Sequence, residues 1–117
     1  MIGIDLVENK RIESALKDKD FAGRILTTNE IDYVDKFKNK VEHIAGFFCA
    51  KEAVMKALED CDKISFKDIE ILHKESGKPY AKLYGKAKEL FLQKELKSIE
   101  ISISQTKNFA TAIALVR

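Results

Sequence analysis

The first residues of the chain alternate between aliphatic and other side chains. Ile2, Ile4 and Leu6 occupy every second position, and Gly3 and Asp5 lie between them. A period of two is typical of a β-strand, because successive side chains of a strand point to opposite faces. The pattern therefore predicts a strand with one wholly aliphatic face. Asp5 is expected on the other face, where the neighbouring glycine leaves space beside it.

The period then changes to that of a helix. Apolar residues at helical spacing predict a helix over 8–17 and a short helix or turn over 21–26. Thr27 and Glu30 have the spacing of a capping box, which predicts that a third helix begins there. The longest helix is expected over about 41–59, and it has little polar surface.

The second half of the chain mixes strands and helices. Its predicted elements are a strand over 65–74, a turn at 76–79, a strand over 80–84, a helix over 86–96 and a hairpin over 99–116 that turns at 106–108. The strands are mostly antiparallel neighbours and no βαβ period repeats. The sequence therefore predicts one α+β domain over residues 1–117, with a mostly antiparallel sheet packed against helices.

Composition and charge exclude several classes of protein. The formal net charge is only +2, which argues against binding to nucleic acid. No apolar run approaches the roughly 20 residues that cross a bilayer, and the N-terminal residues do not resemble a signal peptide. We therefore expect a cytoplasmic protein. Cys49 and Cys61 have no partners at metal-ligand spacing, so they are expected to be free thiols.

Three charged residues stand among apolar and small residues in the long helix. One side of this helix has small residues and the other has large hydrophobic ones. Glu52 and Lys56 are four residues apart at one edge of the small-residue side, while Lys51 projects from the hydrophobic side. The simplest interpretation is a surface pair of Glu52 with Lys56, and a Lys51 stem that lies on apolar neighbours and reaches water. Asp5 alone would cap a helix or pair with a lysine. The combination of these residues changes that interpretation.

In combination, these residues resemble those of the holo-[acyl-carrier-protein] synthase family, the small class of 4'-phosphopantetheinyl transferases. The matching segments are GIDLVENKRI at 3–12, FAGRILTTNE at 21–30, AGFFCAKEAVMKAL at 45–58, ISFKDIEIL at 64–72, SGKPY at 76–80 and ISISQTKNFATAIALV at 101–116. They span nearly the whole chain. The resemblance implies transfer of the phosphopantetheine arm of coenzyme A to a serine of an acyl carrier protein, in fatty acid biosynthesis.

The resemblance also implies roles for the charged residues. Asp5 and Glu52 are carried over as ligands of Mg²⁺, which prefers one or two carboxylates together with phosphate oxygens and water. Lys56 would contact the same phosphates as a point charge and offset charge on the leaving group. Glu52, acting directly or through a metal-bound water, is the candidate base for the carrier serine.

Coenzyme A contacts follow from the same resemblance. The candidates are Lys56, Gly77, Lys78, Pro79, Lys51 and Gln105. Many relatives have arginine where this chain has Phe47 and histidine where it has Gln105. The nucleotide end of coenzyme A is therefore expected to be held differently here, by Lys51, Lys78 or Lys107.

Acyl carrier proteins are acidic, so a basic docking surface is expected. Arg11 coincides with the basic residue on the first helix of the family, and Arg24 is a second candidate.

The long helix is hydrophobic on two sides, which in so small a domain suggests packing against another subunit. The resemblance implies a homotrimer with sites at subunit boundaries. The alternative is a non-catalytic module that binds a carrier or a nucleotide. A nucleotide hydrolase is disfavoured because no GxxxxGK(S/T) loop is present.

Overall fold

A long central helix lies against a three-stranded antiparallel sheet in the computed structural model, which describes all residues from 1 to 117. The elements in chain order are β1 (Ile2–Glu8), α1 (Asn9–Ala15), α2 (Phe21–Ile25), α3 (Thr28–Val34), α4 (Lys40–Leu58), β2 (Ile69–His73), β3 (Pro79–Leu83), α5 (Gly85–Gln93), β4 (Ile99–Gln105) and β5 (Phe109–Val116). Two short 3₁₀ turns, Cys61–Lys63 and Phe66–Asp68, precede β2. None of the helices combines the length and the apolar character needed to span a membrane.

The strands form two antiparallel sheets. The larger has the order β1-β5-β4, and β2 pairs with β3 in a separate hairpin. In the larger sheet, Gly3 lies opposite Ala114 and Asp5 opposite Ala112. Helix α4 covers one face of this sheet and supplies about two-fifths of the buried residues. The predicted α+β class with mostly antiparallel strands is therefore confirmed.

Two predicted boundaries are wrong. The strand expected over 65–74 begins only at Ile69, because the preceding residues close a 3₁₀ turn in which the Asp68 carboxylate accepts a hydrogen bond from the Ser65 amide at 3.2 Å. The helix expected over 86–96 ends at Gln93, and Glu95 has a left-handed backbone with φ of 56°. The predicted capping box of Thr27 and Glu30 is present, and the last hairpin turns at the predicted residues.

The aliphatic face of strand β1 points outward, and Asp5 lies on the other face as predicted. The aliphatic residues Ile2, Ile4 and Leu6 are each about two-thirds exposed, and the face with Gly3 and Asp5 packs on α4. The expected space beside Asp5 is absent. A Cβ atom at Gly3 would collide with the carbonyl oxygen of Ala53 and lie 2.8 Å from the backbone nitrogen of Ala57. Glycine is needed here because strand and helix backbones touch.

One fully buried ion pair fixes α4 on its other side. The Lys51 ammonium donates to Glu30 Oε1 at 2.6 Å and to the carbonyl of Ile25 at 2.5 Å, and neither charged side chain is exposed. Glu30 also accepts from the backbone amides of Thr27 at 2.8 Å and Ile71 at 2.7 Å. Burial lowers the pKa of Lys51, and the Glu30 carboxylate opposes that effect. This pair therefore joins α3, α4 and β2.

Replacing Gly3 by alanine should destabilise the protein by at least about 2–3 kcal/mol, because the methyl group would force β1 away from α4. Gly23→Ala is the matched control, since a Cβ there meets nothing within 4 Å and alanine is the better residue in a helix. The free energy of unfolding from urea titrations measures both. Equal stability of the two variants would contradict the close contact.

Lys51→Met should cost about 3–5 kcal/mol of unfolding free energy, because it leaves the buried Glu30 carboxylate without its counter-charge. Lys40→Met removes a lysine from the same helix, but that lysine pairs with Asp35 at 3.2 Å in solvent, so its cost should stay below about 1 kcal/mol. Thermal and urea unfolding of both variants provide the comparison. A Lys51→Met protein as stable as the Lys40→Met protein would show that the buried pair stabilises nothing.

Candidate active site

A cleft of about 370 Å³ lies between β1, α1, α2 and the middle of α4. Asp5 and Glu52 line one part of it, and Arg11 of α1 lines another. Its remaining walls are apolar, with the rings of Phe21 and Phe48 among them. The cleft therefore presents two carboxylates and a guanidinium beside an apolar surface.

Lys56 lies next to the carboxylates. Its ammonium is 3.1 Å from Asp5 Oδ1 and 3.0 Å from the carbonyl oxygen of Ile4. The Asp5 side chain is 15% exposed, whereas that of Lys56 is 49% exposed. The structure thus brings Asp5, Glu52 and Lys56 together from β1 and α4, and a largely buried carboxylate meets a half-exposed cation. The simple interpretation of Glu52 and Lys56 as a surface pair is not what the structure shows, because Lys56 pairs with Asp5.

Glu52 faces a carboxylate rather than a partner of opposite charge. Burial raises the pKa of Glu52, the negative charge of Asp5 raises it further, and Lys56 lowers it. No ion pair involves Glu52. Of the two carboxylates, only Asp5 therefore has a cation bonded to it directly.

These two carboxylates suit a magnesium ion. No group of three or more His, Cys, Asp or Glu side chains converges anywhere in the chain, so the protein does not form a complete metal cage. Magnesium does not need one, because it keeps several waters and takes phosphate oxygens of its substrate as ligands. The carboxylates of Asp5 and Glu52 offer only oxygen ligands and repel each other in a half-buried cleft, so they fit this ion.

A cysteine lies behind the carboxylates. Cys49 is fully buried, and its thiol donates to the carbonyl of Ala110 at 3.4 Å. Burial, together with the charges of Asp5 and Glu52, raises the pKa of this thiol to about 12. A neutral thiol is a poor nucleophile, so Cys49 belongs to the packing of the site and not to its chemistry.

The turn at 76–79 borders a different groove. Lys78 and Pro79 line a space of about 490 Å³ on the outer face of the large sheet, together with Ile2 and Ile113. Gly77 adopts a left-handed conformation with φ of 89° in this turn. The groove and the carboxylate cleft share no lining residue. Within one chain, the turn at 76–79 therefore lies on a different surface from the carboxylate cleft.

Lys51 must be removed from the candidate coenzyme contacts. Its ammonium is wholly buried and held by Glu30 and Ile25, so it reaches neither the cleft nor water. The prediction that Lys51 replaces a missing cation is wrong, as is the simpler interpretation of a stem that reaches solvent.

Gln105 lies at the other end of α4 from Lys56. Its side-chain nitrogen is 3.2 Å from Nδ1 of His43. Phe47 is buried against Tyr33 and His73, whose rings stack on each other. The sequence analysis missed His43. The available signal was its position one helical turn before Phe47, which places both rings on one side of α4.

The two candidate docking arginines have different surroundings. Arg11 lines the carboxylate cleft. Arg24, on α2, pairs with Asp18 at 3.0 Å in solvent, and it borders another groove that does not contain the carboxylates. The geometry favours Arg11 as a residue that meets whatever enters the cleft.

Comparison with known proteins identifies the family of the chain. A family model described as the 4'-phosphopantetheinyl transferase superfamily matches residues 1–114. The chain is 42% identical over 116 residues to a holo-[acyl-carrier-protein] synthase of Caldanaerobacter subterraneus subsp. tengcongensis, a match that covers 97% of this chain and 91% of the relative. It is 39% identical over 117 residues to a protein of the same name from Fusobacterium nucleatum, covering 98% and 96% of the two chains.

A solved structure supports the likeness in three dimensions. The crystal structure of Helicobacter pylori holo-[acyl-carrier-protein] synthase in complex with coenzyme A superposes with a TM-score of 0.87 at 37% identity, and all of both chains is covered. The resemblance that the sequence motifs indicated is therefore confirmed over the full length of the chain.

Proposed function

The chain belongs to the 4'-phosphopantetheinyl transferase superfamily, and on that basis we propose that it transfers the 4'-phosphopantetheine group of coenzyme A to a serine of apo acyl carrier protein. The observation that carries the proposal is the convergence of Asp5, Glu52 and Lys56 in one cleft. The products are holo acyl carrier protein and adenosine 3',5'-bisphosphate. We assign the activity to fatty acid biosynthesis in the cytoplasm.

Asp5 and Glu52 would hold Mg²⁺ in this cleft. A bound ion would withdraw charge from the phosphate under attack and stabilise the charge that develops in the transition state. The convergence of two carboxylates that raises the pKa of Glu52 supports the assignment, because a divalent cation relieves their repulsion.

The protein side chains divide the remaining work. The serine hydroxyl forms a new P–O bond while the pyrophosphate P–O bond breaks, so a base must accept the serine proton and the leaving phosphate must be stabilised. Glu52 has the raised pKa that suits a base. Lys56 is close to the same cleft and free enough to contact the leaving phosphate.

The rest of the cleft fits an acidic carrier with an apolar surface. Arg11 offers a guanidinium beside the carboxylates, and Phe21 and Phe48 offer apolar rings. A carrier helix that pairs acidic residues with Arg11 and buries apolar residues on the rings would bring its serine to Asp5 and Glu52. We retain Arg24 as a secondary contact on the adjacent helix.

We also propose a homotrimer, for a reason different from the one expected. Helix α4 is buried within its own chain on both sides, so its apolar character does not call for a second subunit. The outer face of the sheet does, because Ile2, Ile4, Leu6, Phe109 and Ile113 are all exposed there. Lys78 and Pro79 border this face, and Gly77 precedes them in the same turn. A copy packed on this face would bring these coenzyme contacts to the boundary between subunits. Gln105 is the proposed contact at the other end of α4.

The activity is tested with apo acyl carrier protein, coenzyme A and Mg²⁺, with the carrier weighed by mass spectrometry. The wild-type protein should add the mass of a phosphopantetheine group. Asp5→Asn and Glu52→Gln should each lower kcat/KM at least about 100-fold, since each removes charge stabilisation at the reacting phosphate, while the circular dichroism spectrum stays unchanged.

Glu42→Gln is the matched control for these variants. It alters a carboxylate on the same helix that is exposed and receives a hydrogen bond from Asn39 at 2.8 Å, so turnover should remain at the wild-type level. A carrier that binds tightly but gains no mass would favour the non-catalytic alternative. Full magnesium-dependent turnover by either cleft variant would contradict its role as a ligand.

Ile4→Asp should convert the trimer to monomers in light scattering, because it places a charge in the middle of the exposed aliphatic face. Ile4 is 63% exposed in the single chain, so the fold itself should survive. Leu92→Asp is the matched control, since Leu92 is equally exposed but lies on α5. A monomeric wild type, or an equal effect of both variants, would refute the assembly through this face.

A further inference from the structure

Lys56 is held by the strand that carries Asp5. Its ammonium contacts the Ile4 carbonyl at 3.0 Å and Asp5 Oδ1 at 3.1 Å. These are the only polar partners within hydrogen-bond distance of the lysine. Glu52, one helical turn earlier, has neither an ion pair nor a hydrogen bond to its carboxylate. The lysine therefore neutralises one of the two carboxylates and leaves the other free.

The contact with Asp5 conflicts with the binding of a cation there. A divalent ion on the Asp5 carboxylate and an ammonium 3.1 Å from the same group would repel each other strongly at such short range. Asp5 is nearly buried and fixed in β1, whereas the lysine side chain is half exposed on a flexible stem. Of the two side chains, Lys56 is the one that can move.

We propose that Lys56 is a latch on the metal site: its contacts with Asp5 and the Ile4 carbonyl disfavour divalent cations until a coenzyme phosphate draws the ammonium away. This inference rests on the proposed function for the identity of the ligands. Its new content is that Lys56 opposes the metal in the free protein and supports the phosphate in the complex. Metal and coenzyme A then bind with positive coupling, and part of the coupling is transmitted by one side chain.

The latch is tested by Mn²⁺ binding, followed by electron paramagnetic resonance, in the absence of coenzyme A and carrier. Lys56→Met keeps the length of the stem and removes the charge. It should bind Mn²⁺ on the order of tenfold more tightly than the wild type, which is within the usual range of a coupling between two sites.

Two control variants separate the latch from a general effect of charge. Lys40→Met removes a positive charge from the same helix at a solvent-exposed pair with Asp35, and it should change Mn²⁺ affinity less than about twofold. Arg11→Met removes a positive charge that lines the cleft but makes no ion pair with Asp5. Its effect should be several-fold smaller than that of Lys56→Met, because only Lys56 must leave the carboxylate.

Saturating coenzyme A provides the second half of the test. Coenzyme A should tighten Mn²⁺ binding in both proteins. The factor of tightening should be on the order of tenfold larger in the wild type than in Lys56→Met, because the variant has no latch to release. Carrier is absent, so no transfer accompanies the measurement and the readout is independent of turnover.

Each outcome decides the proposal. Tighter Mn²⁺ binding by Lys56→Met alone, with a reduced effect of coenzyme A, supports the latch. Equal affinity of Lys56→Met and wild type, or an equal gain in Arg11→Met, overturns it. Asp5→Asn distinguishes a failure of the latch from a failure of the proposed function. If Asp5→Asn weakens Mn²⁺ binding in the presence of coenzyme A, Asp5 is a metal ligand even without the latch. If it does not, the ligand assignment and the latch are both wrong.

Discussion

The backbone contact between β1 and α4 at Gly3 determines where every charged group of the cleft lies. The absence of a side chain lets the strand approach the carbonyl of Ala53 and the nitrogen of Ala57. Asp5 is two residues further along the same face of β1, so it meets the helix edge that carries Glu52 and Lys56. The placement of Asp5 beside Glu52 and Lys56 is therefore a consequence of close packing between two backbones.

The buried pair of Lys51 and Glu30 holds the other side of the same helix. The carboxylate of Glu30, a residue of α3, receives hydrogen bonds from the N-cap residue Thr27, from Lys51 of α4 and from Ile71 of β2, so it relates three elements. Buried ion pairs seldom add stability relative to well-packed apolar residues, although breaking one is costly. We interpret this pair as a constraint on the rotation of α4. Glu52 lies between the two constraints, which explains how a half-exposed carboxylate can keep a defined position.

Local patterns predicted the elements well but not their partners. The capping box at Thr27 and the last hairpin depend on neighbouring residues, and both are present as expected. The outward orientation of Ile2, Ile4 and Leu6 was not predictable, because a period of two shows that a strand has two faces but not which of them the chain covers. The partner of Lys51 is 21 residues away, beyond any helical spacing. The grouping of Asp5 with Glu52 and Lys56 was indicated by the family resemblance and not by periodicity.

In the proposed trimer, the outer face of the large sheet would connect assembly with coenzyme binding. The groove beside Lys78 and Pro79 includes Ile2 and Ile113, which belong to the exposed aliphatic surface. In the proposed trimer, the apolar contacts between copies and the coenzyme-binding turn share one surface, whereas the carboxylates remain in a cleft formed within each chain. A coenzyme that spans both would bury apolar sheet residues while its phosphates meet Lys56. Its binding would then favour the assembled protein, because a ligand stabilises whichever state completes its site.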